Sequence, residues 1–354
     1  MAAGGWLLAV DVSRLAVGRV SPSISDVTDW LRLLRASGFA TIASNLLAAS
    51  ALAFYAGEGN NVVWFLARLW HNGWSCLWVP LTSALLFAAG MVWNDLVDVD
   101  RDRRAERYHR PLAGGAIGLV PAYIVGVLLV IGAMLSALMV DRVHYYGLLL
   151  AGIVLILSLL YNLVAKTIPW LGALVMGSVR ASHAVFAVLL IGADHVEAAL
   201  LGSSTPGLRS FLVYPLVIFL WTVGLTLAGE LEDPDRRGTR LEFLAAGAFL
   251  ALALGMAVVH LLGAPWLHLH RFAPVAALLG LAVVGWCAWR VFIPWWKALR
   301  AARCQGAGST VVAGLGGIIL LDAVLAASAH PVLGLLTLAL FPVFLVFSRL
   351  VRMG

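Results

Sequence analysis

Charged side chains are scarce in this chain. Asp, Glu, Lys and Arg together make up 12% of its 354 residues, about half the share of an ordinary soluble domain. Too few remain to wet the surface of a soluble protein of this size, so a chain of one or two soluble domains is excluded. Cysteine is also sparse. Cys76, Cys287 and Cys304 form no CxxC pair and no recognisable metal spacing, which leaves them as packing residues. The first apolar run, Trp6 to Val10, is too short for a signal-peptide core and lacks a basic segment before it. There is no repeat of fixed period and no low-complexity tract.

Apolar residues fill the gap. They account for 62% of the chain, against a usual 45–50%, and the mean hydropathy is +0.95. A bilayer-spanning helix needs about 20 mostly apolar residues. Ten stretches qualify, near 37–56, 75–94, 120–140, 144–162, 168–192, 211–230, 242–263, 272–293, 310–329 and 332–348. The expected fold is all-α, a polytopic transmembrane bundle of nine to ten spans. Residues 1–30 read as a polar or amphipathic leader, and 31–354 as a single membrane domain. The shortest links, near 141–144 and 329–332, fold neighbouring spans into antiparallel hairpins. Many of the 14 tryptophans, among them Trp64, Trp70, Trp74, Trp78, Trp295 and Trp296, fall near span ends, as interfacial anchors do. Gly177 and the Gly314–Gly317 region read as close helix-packing sites.

The basic residues fix an orientation. With the N-terminus inside, 19 of the 24 Lys and Arg residues fall on the inner side and 4 (Arg68, Arg142, Arg209, Arg271) on the outer side, with Arg180 inside a span. The positive-inside rule then puts both termini in the cytoplasm, with an even number of spans. The net charge of +6 follows from topology and does not signal nucleic acid.

Half of the 18 acidic residues sit in two short segments. One holds Asp95, Asp98, Asp100, Asp102 and Glu106, and the other Glu230, Glu232, Asp233 and Asp235. Each lies at the inner end of an even-numbered span, so both face the cytoplasm. Asp95, Asp98 and Asp102 are spaced i, i+3, i+7 and share one helix face, with Asn94 close to it. Carboxylates at a helix C-terminus oppose the helix dipole and repel one another. Something positive must offset both effects, and oxygen ligands of this kind suit Mg²⁺ together with substrate phosphates. A solvated loop of alternating Asp and Arg accounts for Asp100, Asp102 and the arginines after them. It accounts less well for carboxylates that begin inside the apolar run, directly after Met91-Val92-Trp93.

At these residues the chain resembles the UbiA superfamily of membrane prenyltransferases. Asn94, Asp95, Asp98 and Asp102 match its N-D-x-x-D-x-x-x-D motif, and Arg110-Pro111-Leu112-Ala113-Gly114-Gly115 is similar to the R-P-L-x-x-G segment that follows. Tyr161-Asn162 with Lys166 is similar to the family's tyrosine–lysine segment, with a spacing of five instead of four. Arg35 and Asn45 fit its opening helix. Glu230 and Asp233 stand at the first two places of the second motif, whose third place falls on Arg237, or on Asp235 after a two-residue deletion. Met176-Gly177-Ser178-Val179-Arg180 is similar to the EboC-like branch.

The resemblance implies a magnesium-dependent polyprenyltransferase. An isoprenyl diphosphate donor ionises at its C1–O bond, and a lipophilic or aromatic acceptor captures the allylic cation. It implies Asp95, Asp98, Asp102, Glu230 and Asp233 as Mg²⁺ ligands. Lys166, Arg110 and Tyr161 are the implied catalytic groups at the diphosphate, and Asn94, Arg35, Asn45 and Arg180 the substrate-binding residues. Two further groups stand inside spans, His183 one turn beyond Arg180, and Asp322. Charges at such depth line a cavity or pair. Arg180 therefore either binds an acceptor carboxylate or phosphate, or joins two spans through Asp322. A non-catalytic or transport-type protein on the same fold is the alternative. A CDP-alcohol phosphotransferase is excluded, because no D-G and A-R follow Asp98.

Overall fold

The computed structural model describes residues 27–58, 61–140, 145–168, 170–192, 206–230, 240–264, 273–300 and 307–350. They form helices α1 (Val27–Leu33), α2 (Gly38–Glu58), α3 (Val62–His71), α4 (Gly73–Arg104), α5 (Leu119–Val140), α6 (Tyr146–Leu163) and α7 (Leu171–Phe186). Then follow α8 (Pro206–Glu230), α9 (Arg240–Leu262), α10 (Ala273–Arg300), α11 (Ala307–Ala329), α12 (Pro331–Leu338) and α13 (Leu340–Leu350). No strand occurs among the described residues. Among the described residues nine helical stretches are long and apolar enough to cross a membrane, with α12 and α13 counted as one, and Ala313–Ala329 of α11 adds a shorter apolar helix. The ten apolar stretches of the sequence thus all become helices.

Helix α11 sits in the middle. It packs against α2, α8, α9, α10 and α12, and every residue from Gly316 to Ala326 is buried. Apart from Asp322 its buried stretch is apolar all round, as a helix surrounded by others tends to be. Helix α5 is the opposite case. Val120, Ile124, Leu128, Ile131 and Leu135 are exposed and recur at helical spacing, which makes them a lipid-facing stripe. His330 alone separates α11 from α12 and caps the latter, its Nδ1 accepting from the Val332 amide at 3.3 Å.

Two short helices escape the hydropathy pattern. Residues 1–26 of the expected leader lie outside the described residues, and α1 follows them. Helix α3 is amphipathic. It buries Phe65 and exposes Trp64 and Trp70, and Asn61 caps its start by accepting from the Val63 amide at 2.9 Å.

Small residues set the closest helix approaches, as the glycine pattern suggests. A Cβ at Gly177 on α7 would stand 2.7 Å from Val223 Cγ2 and 3.0 Å from the Phe219 carbonyl oxygen, both on α8. One at Gly317 on α11 would meet Trp221 at 2.7 Å, and one at Gly314 would meet Leu225. Trp221 Nε1 donates to the Gly314 carbonyl at 3.0 Å in the same contact. Gly177→Val is expected to destabilise the bundle by about 1–3 kcal/mol, the usual cost of overpacking. Thermal unfolding in detergent checks this, and an unchanged midpoint would count against the α7–α8 contact.

Candidate functional site

The first acidic motif closes a long helix. At 32 residues, α4 measures about 48 Å at 1.5 Å per residue, well beyond the roughly 30 Å of a hydrocarbon core. It runs on through Asp102, so Asp95, Asp98 and Asp102 do stack on one face. The helix dipole and their mutual repulsion disfavour them there. Each is answered by a cation from a different part of the chain. Arg35 Nη2 lies 3.5 Å from Asp95 Oδ1. Lys166 Nζ donates to Asp98 Oδ1 at 2.7 Å. Arg110 Nη1 donates to Asp102 Oδ2 at 2.6 Å, and Arg107 Nη1 approaches Oδ1 at 3.4 Å. Asn94 Nδ2 also donates to Asp95 Oδ1, at 3.4 Å.

Local folding aims each cation. Arg35 occupies the turn between α1 and α2 with φ 49, a left-handed conformation that a non-glycine residue adopts at some cost. The buried Leu33 holds that turn against Val92, Val99 and Leu112. The loop after α4 folds back because Leu112 enters the same cluster. Gly114 has no room for a Cβ against the Tyr108 carbonyl, and Gly115 has φ 78, so the Gly114-Gly115 pair lets the loop return Arg110 to Asp102. Lys166 sits in a 3₁₀ turn, Ala165–Thr167, directly after α6. Its amine reaches Asp98 despite the five-residue spacing from Tyr161.

Among the described residues no three His, Cys, Asp or Glu side chains gather into a preformed metal cage. The donors present still fit magnesium, which takes one or two carboxylates and completes its shell with water and phosphate oxygens. Glu230 is the last residue of α8. Asp233 lies outside the described residues, as do Glu232 and Asp235.

Beside the motif a cavity of about 120 Å³ opens between α2, α4, α6 and α7. Arg35, Asn94, Tyr161, Asn162, Arg180 and His183 supply its polar lining, and Phe87, Met91 and Met176 part of its apolar lining. Behind it lies a buried polar network. Asp322, fully buried, accepts from Ser44 Oγ at 2.6 Å and Asn45 Nδ2 at 2.9 Å on one oxygen, and from Tyr214 OH at 2.8 Å on the other. Asn45 Oδ1 in turn accepts from Arg180 Nη1 at 3.3 Å. Arg180 and Asp322 are therefore joined through Asn45 and make no direct ion pair. Asn45 is engaged on both sides within this network.

Arg107, Ser44 and Tyr214 were not singled out by the sequence, and Asn162 entered only beside Tyr161 in the tyrosine–lysine segment. Arg107 counts there only as a topology residue, and a serine, a tyrosine or an asparagine inside an apolar run carries no distinguishing signal. Proximity of Asn162 to Tyr161 was the one available hint.

Comparison with known proteins follows the same lines. A family model described as the UbiA prenyltransferase family matches residues 46–305. The polyprenyl transferase ausN of Aspergillus calidoustus is 53% identical over 49 residues, 14% of this chain and 13% of that protein. Among solved structures, the apo structure of a UbiA homolog from Aeropyrum pernix K1 aligns with a TM-score of 0.53 at 21% identity, covering 80% of this chain and 97% of that one. This likeness concerns the fold. A digeranylgeranylglyceryl phosphate synthase aligns with a TM-score of 0.49 at 16% identity, over 86% of this chain and 98% of that one.

Proposed function

The chain belongs to the UbiA prenyltransferase family, and on that premise we propose that it transfers an isoprenyl group from a polyprenyl diphosphate to an acceptor within the membrane, with magnesium. One observation carries this reading. Three stacked carboxylates on α4 are each paired with a basic side chain from a separate segment, Arg35, Lys166 and Arg110. A purely structural pairing needs no such convergence at one helix end. A diphosphate ester needs both signs of charge, oxygen donors for its metal and N–H donors for its own oxygens.

Asp95 and Asp98, with Asp102 and Asn94 in support, are the residues assigned to magnesium. Glu230 and Asp233 are assigned to a second ion by the sequence. Bound there, the metal would neutralise charge that develops on the leaving group. Arg35, Lys166 and Arg110 exchange part of their carboxylate contacts for diphosphate oxygens, and their fixed positions make that electrostatic help preorganised. The C1–O bond breaks with its electron pair going to diphosphate. The acceptor nucleophile forms the new bond to C1 and releases its proton to solvent or a neighbouring base. Tyr161 lines the cavity where C1 would lie. The excess of basic residues at this end of the bundle supports a cytoplasmic placement of the motif and both termini.

The test uses purified full chain in nanodiscs with prenyl diphosphates of graded length. Released diphosphate is expected only with magnesium present, and to saturate with donor. Neither release nor saturable magnesium-dependent donor binding would leave the non-catalytic or transport reading in its place.

A further inference from the structure

Helix α3 wears its amphipathic pattern inside out. At about 100° per residue, Val62, Phe65, Arg68 and Leu69 fall on one face, and Val63, Trp64, Leu66, Ala67, Trp70 and His71 on the other. The first face turns inward. Phe65 is buried edge-on against Phe54, and Val62 and Leu69 pack on the same core. The only arginine of the helix lies on this inner face. Arg68 Nε donates to the Ile191 carbonyl at 2.8 Å, and Asn72, directly after α3, donates to the same oxygen through Nδ2 at 2.6 Å. Ile191 caps the 3₁₀ turn Ala187–Leu190 that closes α7, and carbonyls at a helix end lack partners within their own helix. Meeting that need draws the polar groups inward and leaves an apolar face outward. On it Trp70 is 86% exposed, Val63 65%, Trp64 63% and Leu66 50%.

Helix α4 fixes where this face stands. Asn72 alone separates α3 from α4. From Gly73, where α4 begins, to Asp95 is about 33 Å at 1.5 Å per residue, close to the roughly 30 Å of a hydrocarbon core. With Asp95 at one boundary of the bilayer, α3 stands at the other. The exposed apolar face also continues onto α4 through Trp74, Leu77 and Leu81, all exposed and spaced i, i+3, i+7 along the lipid-facing side of that span. Trp74 Nε1 donates to the Met139 carbonyl near the end of α5 and braces the corner.

We infer that α3 is a lipid-docking helix. It lies flat in the leaflet opposite the acidic motif, with its outer face seated between the glycerol backbones and upper acyl chains of phospholipid. Exposed apolar faces of this kind mark membrane or protein contacts. Lipid is the occupant here, rather than a second copy of the chain, for three reasons. The face runs unbroken into the lipid-facing stripe of α4. It stands at the edge of the hydrocarbon core. It carries two tryptophans, the side chains that favour the headgroup level. Interfacial helices that select anionic lipid turn Lys or Arg toward the headgroups. Arg68 turns the other way, so docking proceeds by apolar burial and does not discriminate headgroup charge. Through Ile191 the docked helix also ties the end of α7 to the membrane surface.

The test places nitroxide labels on the full chain in nanodiscs of palmitoyl-oleoyl-phosphatidylcholine, with Cys76, Cys287 and Cys304 replaced by alanine. Leu66→Cys and Trp70→Cys report from the outer face of α3. Tyr108→Cys, at an exposed position in the loop after α4, reports from water. Both α3 labels are expected to lie about 5–10 Å into the boundary between headgroups and acyl chains. There they are open to oxygen and at least fivefold less accessible to a water-soluble nickel chelate than the Tyr108→Cys label. Replacing half of the lipid by phosphatidylglycerol is expected to leave that depth unchanged. A second measurement keeps the native cysteines. Trp64→Phe combined with Trp70→Phe is expected to lower the share of tryptophan fluorescence quenched by phosphatidylcholine brominated high on its acyl chains. Chelate access at both α3 labels equal to that at Tyr108→Cys overturns the docking, as does an unchanged quenchable share in the double variant. A dimer that Trp70→Glu splits would make a second copy the occupant and overturns lipid in that place. A depth that shifts with phosphatidylglycerol overturns docking without regard to headgroup charge.

Discussion

Asp98→Asn is expected to lower magnesium-dependent diphosphate release by about three orders of magnitude, equivalent to roughly 4 kcal/mol of lost transition-state stabilisation at 1.36 kcal/mol per tenfold. The substitution keeps shape and removes one negative charge. It withdraws an oxygen donor assigned to the metal, and it frees Lys166, whose amine bonds Asp98 at 2.7 Å. Both changes act where charge develops on the leaving group, so the loss falls on turnover more than on donor affinity. Asp95→Asn is expected to behave alike, through Arg35 and Asn94. Steady-state release kinetics with circular dichroism and thermal unfolding provide the check. Rates within tenfold of wild type for both variants, in folded protein, would move the metal site off α4.

The second large effect concerns stability. Asp322→Leu removes the acceptor for Ser44, Asn45 and Tyr214 at once and leaves Arg180 without its counter-charge. Breaking a buried charge arrangement from one side typically costs about 3–5 kcal/mol, because the remaining donors and charge stay buried and unsatisfied. The expected outcome is a sharp fall in monodisperse protein and a strongly lowered unfolding midpoint in detergent. Asp322→Asn keeps one acceptor oxygen and is expected to lie between. Adding Arg180→Met to Asp322→Leu should recover part of the loss, since the two residues share one network and their effects do not add. A midpoint for Asp322→Leu within about two degrees of wild type would sink the idea that this network holds the core together.

Hydropathy alone made the ten apolar helices legible, because lipid imposes a length and a composition on every span. The motif face was legible too, since i, i+3, i+7 spacing means one face wherever the helix continues. Whether α4 continued beyond its apolar window was a matter of tertiary context. It is settled by Leu33 and Leu112, which pack against Val92 and Val99 and keep the helix wound past the membrane surface. The sequence nominated Arg35, Lys166 and Arg110 as basic residues near an acidic motif. Assigning each to its own carboxylate required the turn at Arg35, the 3₁₀ turn that holds Lys166 and the loop geometry around Gly114 and Gly115 that returns Arg110. The Arg180–Asp322 relation was half legible. Two isolated intramembrane charges of opposite sign suggested a pair, but the bridging role of Asn45 depends on how α2 lies between α7 and α11. Tyr214 and Ser44 carried no pattern at all, because one polar atom in an apolar run looks the same whether it bonds its own helix or a distant one.

The hydrogen bond from Ser44 to Asp322 joins residues 278 positions apart. A chain emerges from the ribosome N-terminus first, so α2 enters the bilayer long before α11 exists. Until then Ser44 and Asn45 must find temporary partners, and α7 and α8 have no central helix to pack around. The core therefore closes only after α11 has been made. Helix α11 in turn must deliver a carboxylate into lipid and hand it to helices already waiting. Biogenesis of this protein thus has a decisive step when α11 is made, and that helix seals a site whose α4 carboxylates and their paired cations were made long before it.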